Sequence, residues 1–258
     1  MANFEDVLYK NLFASLLFGV YDVLQAARAP ISQDRITNKF NFEDIPEGLA
    51  NEEAIAWFAQ KEVIPSDVFA RMDAIAKARS FSIATGQDLV VIGQIKQRLD
   101  SALAHGVSFG QWKKEIAGDL ANKIGITFKN KYHIENVFRT NMQTAYNAGR
   151  FVQMEQTKTL RPFLQYNAVD DSRTRDEHLA MNGIVRPFDD PQWEIWTPPN
   201  GFGCRCVLTS LSKFEVDRDN IDTTREIKDT ITNQGGVEVP LQPDAGFSIN
   251  SAKAFLER

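Results

Sequence analysis

Apolar positions recur at helical spacing through most of the first 157 residues. Phe4–Arg28 is dense in them and stops before Pro30. Residues 29–50 hold Pro30, Pro46, Gly48 and several Asn and Asp, so they read as a loop. Ala50–Gln60 predicts a helix capped by Asn51, with Glu52 and Glu53 in its first turn. Ser66 and Asp67 open a helix predicted to reach about Ala84. Gln87–Ala104 predicts another, closed by Gly106, and Ser108 caps a third over Phe109–Ile124, stopped by Gly125. These helices show no repeat of fixed period.

Asn130–Lys158 is the longest helical pattern. Ile134, Val137, Phe138, Met142, Ala145, Tyr146 and Val152 share one face, and Arg139, Gln143, Asn147 and Arg150 make a polar stripe on another. The period changes after Pro162. Phe163–Val169 alternates and reads as a strand, Asp170–Arg175 as a polar turn, Asp176–Met181 as a short helix and Asn182-Gly183 as a turn before Ile184–Arg186. Residues 187–203, rich in Pro, Trp and Gly, are irregular. Cys204–Thr209 is β-prone again, and Gly235-Gly236 precedes a short β-prone Val237–Leu241.

Composition adds limits rather than identity. The chain has 258 residues, 43% hydrophobic and 24% charged, which excludes a wholly disordered chain, a collagen-like repeat and a membrane-spanning bundle. The apolar run Leu12–Val20 is too short for a bilayer, which needs ~20 residues. The acidic start does not resemble an export signal, so assembly in the cytoplasm is expected and no membrane partner is. Charge is uneven: residues 129–175 hold 8 basic and 4 acidic side chains within a chain of net −5. This basic segment reads as a solvated helix face or as a contact with nucleic acid or an acidic partner.

Only two cysteines occur, as Cys204-Arg205-Cys206. So small a ring is a poor disulfide. In an extended chain, alternate side chains point the same way, so the pair suits a metal clamp. His178 and Asp171 are candidate partners, giving a four-ligand zinc set of Asp171, His178, Cys204 and Cys206. The alternative is two small buried thiols and a hydrogen-bonded histidine. A zinc deaminase is excluded, because His178 is followed by Leu179-Ala180 rather than by x-Glu, and the cysteines are one residue too close. A Walker loop, a dinucleotide fingerprint, HExxH and Gly-x-Ser-x-Gly are all missing. No catalytic residue is assigned and no enzymatic activity is expected. The competing view is a metal-dependent enzyme acting on nucleic acid or nucleotides through the Asp171, His178, Cys204 and Cys206 cluster.

Read in order, Arg139-Thr140, Gly149-Arg150, DDSRTRDEHLAMNG at 170–183, Trp193, Trp196, Pro198-Pro199 and Gly201-Phe202-Gly203-Cys204-Arg205-Cys206 resemble the phage Mu F-like minor head proteins, also called phage head morphogenesis proteins. The resemblance covers about residues 110–210, and Asp244–Phe247 with Asn250 resembles the end of many such proteins. Carried over by position, the family motif falls on Arg139, Asp171, Arg173, Arg175, His178, Gly183, Trp196, Pro198, Cys204, Arg205 and Cys206.

The resemblance implies a minor capsid protein of a phage or prophage. Such a protein associates with the portal protein and other head proteins inside the procapsid, and is assembled in host cytoplasm. Double-stranded DNA is a candidate partner through Arg139 and Arg150. The expected fold is α+β: a mainly helical N-terminal part, then a loop-rich α+β module with short strands that zinc would staple. The expected division is a helical docking region over 1–105, the head morphogenesis domain over 106–210 and an acidic C-terminal tail over 211–258.

Overall fold

A computed structural model describes residues 51–83, 88–114, 116 and 131–256, all within one compact unit of the chain. The helix expected over Phe4–Arg28, the loop over 29–50 and the end of the helix expected to reach Ile124 lie outside these residues. The fold is α+β, as expected.

Helix α1, Glu52–Ala59, starts where its chemistry dictates. The Asn51 side chain accepts from the Ala54 N–H at 2.9 Å, and Glu52 and Glu53 occupy the positive first turn. Strand β1, Glu62–Val63, pairs in parallel with β2, Ser80–Phe81. Between them the single helix expected from Ser66 is two helices, α2 Ser66–Arg71 and α3 Ala74–Ala78. The break has a local cause. Met72 adopts an extended backbone, and Asp73 caps a new helix by accepting from the Ala76 N–H at 2.7 Å.

Helix α4, Leu89–His105, is capped by Asp88 and ends at Gly106, whose φ of 65° is left-handed. Residues 109–114 are helical, and Trp112 there is fully buried against Phe138. Helix α5, Lys131–Gln156, is the longest element described. It buries Ile134, Phe138, Met142, Ala145, Ala148, Phe151 and Met154, and α1 packs against it more extensively than any other helix.

Strand β3, Phe163–Asn167, is central in an antiparallel sheet, between β4, Val185–Pro187, and β5, Val207–Leu211. Leu164 and Tyr166 are fully buried while their neighbours in β3 are half-exposed, the period of two read from sequence. Helix α6, Asp176–Met181, ends at Asn182-Gly183. Gly183 takes φ 74°, which only glycine adopts freely, and its N–H bonds the Tyr166 carbonyl at 2.8 Å. Helix α7, Gln192–Ile195, carries buried Trp193.

Residues 211–256 are built onto the rest. Helix α8, Lys213–Arg218, opens with a reciprocal capping box between Ser212 and Glu215. Strands β6, Thr230–Thr232, and β7, Glu238–Pro240, form a hairpin around Gly235-Gly236. Helix α9, Lys253–Leu256, follows buried Asn250. The Trp57 indole N–H donates to the Ser251 carbonyl at 3.1 Å, and the Arg79 guanidinium donates to the Ala254 carbonyl. One cluster of buried residues runs from Ala54 to Ala252.

The contact of α1 with α5 turns on Gly149. A Cβ built there would lie 2.5 Å from the Ala54 nitrogen and 2.4 Å from the Asn51 Oδ1. Both belong to the capped start of α1, and backbone cannot yield as a flexible side chain can. Gly149→Ala is therefore expected to destabilise the fold by about 1–3 kcal/mol, the usual cost of overpacking. The midpoint of urea unfolding measures it, and an unchanged midpoint would show that the two helices separate freely.

Candidate metal centre

The sequence places Cys204-Arg205-Cys206 just before β5, and the sheet then carries both thiols under the fold. Cys204, Cys206 and His178 are 6%, 1% and 2% exposed. Their donor atoms all lie within 4.8 Å of one another, and Cys206 Sγ is 3.5 Å from His178 Nδ1. Both cysteines are free thiols. His178 comes from α6 and the thiols from the segment entering β5, so the group ties together two parts of the chain that share no backbone pairing.

Several neighbours fix this arrangement. Gln143 Nε2 and Asn147 Nδ2 of α5 donate to the Cys206 carbonyl at 3.1 and 3.4 Å. Tyr166 donates its hydroxyl proton to Asn200 Oδ1 at 2.9 Å. Trp196 stands edge-on to both Tyr166 and His178, with ring centroids 6.0 and 6.4 Å apart. Pro198 is buried in the irregular segment and joined to Pro199 by a cis peptide. Asp244 donates its backbone N–H to the Asn200 carbonyl at 2.9 Å and pairs with Arg175 at 3.1 Å.

Asp171 does not join the donor group. Its carboxylate accepts two hydrogen bonds from the Arg205 guanidinium, at 2.7 and 2.5 Å, and one from the Arg173 N–H at 3.0 Å. Arg205 also donates to the Thr174 hydroxyl at 3.1 Å. The residue between the two cysteines therefore points away from them and clasps the turn before α6.

Electrostatics follow the same division. Hydrogen bonding to Arg205 holds the Asp171 carboxyl well below the usual carboxylate range. The two thiols influence each other most. The Cys206 thiol, with His178, pulls Cys204 down, and the Cys204 sulfur together with burial pushes Cys206 up. Burial, reinforced by the neighbouring sulfurs, raises the Tyr166 phenol. Two buried sulfurs and an imidazole at this spacing have the chemistry to hold a metal ion.

The other residues singled out from sequence are dispersed. Arg139 pairs with Glu135 at 2.6 Å on the exposed side of α5. Arg150 stacks over the Tyr146 ring and donates to its hydroxyl at 3.3 Å. Arg173 is largely exposed beside Asp171. The four residues that the sequence did not single out for the site are Tyr166, Asn200, Gln143 and Asn147. The last two belong to the polar stripe of α5, and their signal is position: they flank the buried Met142, Ala145 and Ala148, so they face the core.

With this geometry in place, similarity to known proteins is informative. The family described as Phage Mu protein F like protein matches residues 93–209, the stretch holding α5, the sheet and both cysteines. This stretch belongs to the Mu F-like family. It is 30% identical over 241 residues to the putative capsid assembly protein F of Escherichia phage Mu, across 80% of this chain and 55% of that protein. It is 29% identical over 214 residues to the Mu-like prophage FluMu F protein of Haemophilus influenzae, across 69% of this chain and 51% of that protein. The chain thus spans about half the length of these curated relatives. No solved structure matches it. Among the described residues, no helix is long and apolar enough to cross a membrane.

Two measurements test the supports of the centre. Gln143→Ala combined with Asn147→Ala leaves the buried Cys206 carbonyl unsatisfied, and a loss of about 1–3 kcal/mol in unfolding free energy is expected. Because the Asp171 pKa is depressed by folding, the clasp contributes fully above pH about 4, the ordinary carboxylate value, and is lost as pH falls below it. The difference in melting temperature between the wild type and Asp171→Asn should therefore be largest near neutrality and shrink on acidification. A difference that grew with acid would contradict the clasp.

Proposed function

We propose that this Mu F-like chain is a minor head protein of a phage or prophage. In this reading it joins the procapsid interior during assembly in host cytoplasm, in contact with the portal protein and other head proteins. The observation that carries the reading is the 30% identity to a putative capsid assembly protein over 241 residues. Residues 1–105 are the proposed docking region, 106–210 the head morphogenesis domain and 211–258 the acidic tail.

Contact with packaged DNA is the finer part of the proposal. Arg139 and Arg150 are 11 residues apart, three helical turns, so they share one face of α5 about 16 Å apart. Cations so placed suit phosphates of a duplex, although Glu135 offsets one of them.

Mass spectrometry of purified procapsids and virions tests the assembly role. The protein is expected in both preparations and in complexes captured through the portal protein. Its absence from heads at every stage would sink the proposal. For DNA, retention of duplex by the pure chain should fall with rising salt, and Arg139→Ala with Arg150→Ala should weaken it and flatten that dependence.

A further inference from the structure

We propose that Cys204, Cys206 and His178 bind one zinc ion with a structural role, that solvent supplies the fourth ligand, and that Asp171 is not a ligand. This goes beyond the head-assembly reading and does not depend on it.

The first ground is convergence. A tetrahedral zinc with Zn–S of about 2.3 Å and Zn–N of about 2.0 Å sets its donors about 3.4–3.8 Å apart. One pair here, Cys206 Sγ and His178 Nδ1, already stands at 3.5 Å, and no pair exceeds 4.8 Å. Only a small closing of side chains is required. Thiolates and imidazole are also the donors that zinc selects over magnesium or calcium.

The second ground is burial. Cys204, Cys206 and His178 are all buried, both sulfurs are free of a disulfide, and His178 turns its Nδ1 toward Cys206. Donors gathered in this way match the enclosed set that zinc takes.

The third ground concerns the fourth position. Asp171 is taken by two hydrogen bonds from Arg205. The Tyr166 hydroxyl is engaged as a donor to Asn200 Oδ1. The three donors do line a small cavity shared with Arg173, Thr174, Arg175 and Gly203. Water in that cavity completes the coordination. The role is structural: Asp171, which could otherwise act as a general base, is locked in its clasp with Arg205. The ion would staple α6 to the segment entering β5.

The experiment uses the full chain, purified without added metal. Elemental analysis is expected to give about one zinc per chain. Replacement by Co(II) should produce the absorption of a tetrahedral site with thiolate charge-transfer bands. Cys204→Ala, Cys206→Ala and His178→Ala should each lose most of the metal, whereas Asp171→Asn keeps it. If the ligand variants do not fold, a chelator titration of the wild type decides: loss of one zinc should coincide with a clear fall in melting temperature. A folded chain that neither contains zinc nor takes up Co(II) overturns the proposal. So does a Co(II) spectrum without thiolate bands, a melting temperature indifferent to zinc removal, or Asp171→Asn that loses zinc as Cys204→Ala does.

Discussion

The carbonyl of Cys206 is the point on which the rest of this structure depends. The segment from Thr197 to Cys206 enters the core without regular pairing, so its backbone polar groups need partners from elsewhere. Gln143 and Asn147 supply them for Cys206. That one acceptor fixes α5 against the start of β5, and β5 then sets the register of β3 through Tyr166 opposite Leu208. In the segment that leads into β5, Cys206 and Cys204 face inward toward His178, and Arg205 faces outward to Asp171.

Much of this was legible beforehand because it rests on local rules. Asn51, Asp88 and Gly106 mark helix ends by side-chain capping or a left-handed backbone, and a sequence displays both. Asn182-Gly183 and the alternation of Phe163–Asn167 are equally local. The break at Met72 is not legible in the pattern because Asp73 competes as a cap within an otherwise helical run, and the pairing of β1 with β2 that rewards the break spans 18 residues of sequence separation. Short parallel pairs of this kind leave no period to read.

The site shows the same limit. Motif order brought Asp171, His178, Cys204 and Cys206 together in sequence, and three of them meet in space. The separation of Asp171 from the others depends on Arg205, whose outward direction only the folded structure reveals. Conversely, Gln143 and Asn147 looked like part of a polar helix face. Amides and arginines are indistinguishable by polarity, yet an amide can be buried by satisfying one carbonyl, whereas a guanidinium needs several acceptors. Hence the stripe divides, with the amides inside and Arg139 and Arg150 toward the surface.

The bonds from Trp57 to Ser251 and from Arg79 to Ala254 have a consequence for the order of events in synthesis. They join groups 194 and 175 residues apart. The helices and strands of residues 52–81 can form early on the ribosome, but their polar groups stay open until the last few residues described have emerged. Contacts at such separation close slowly, because a long loop must be ordered before they reward it. Among the described residues, the elements of 52–81 are thus finished last, although they are translated before the rest.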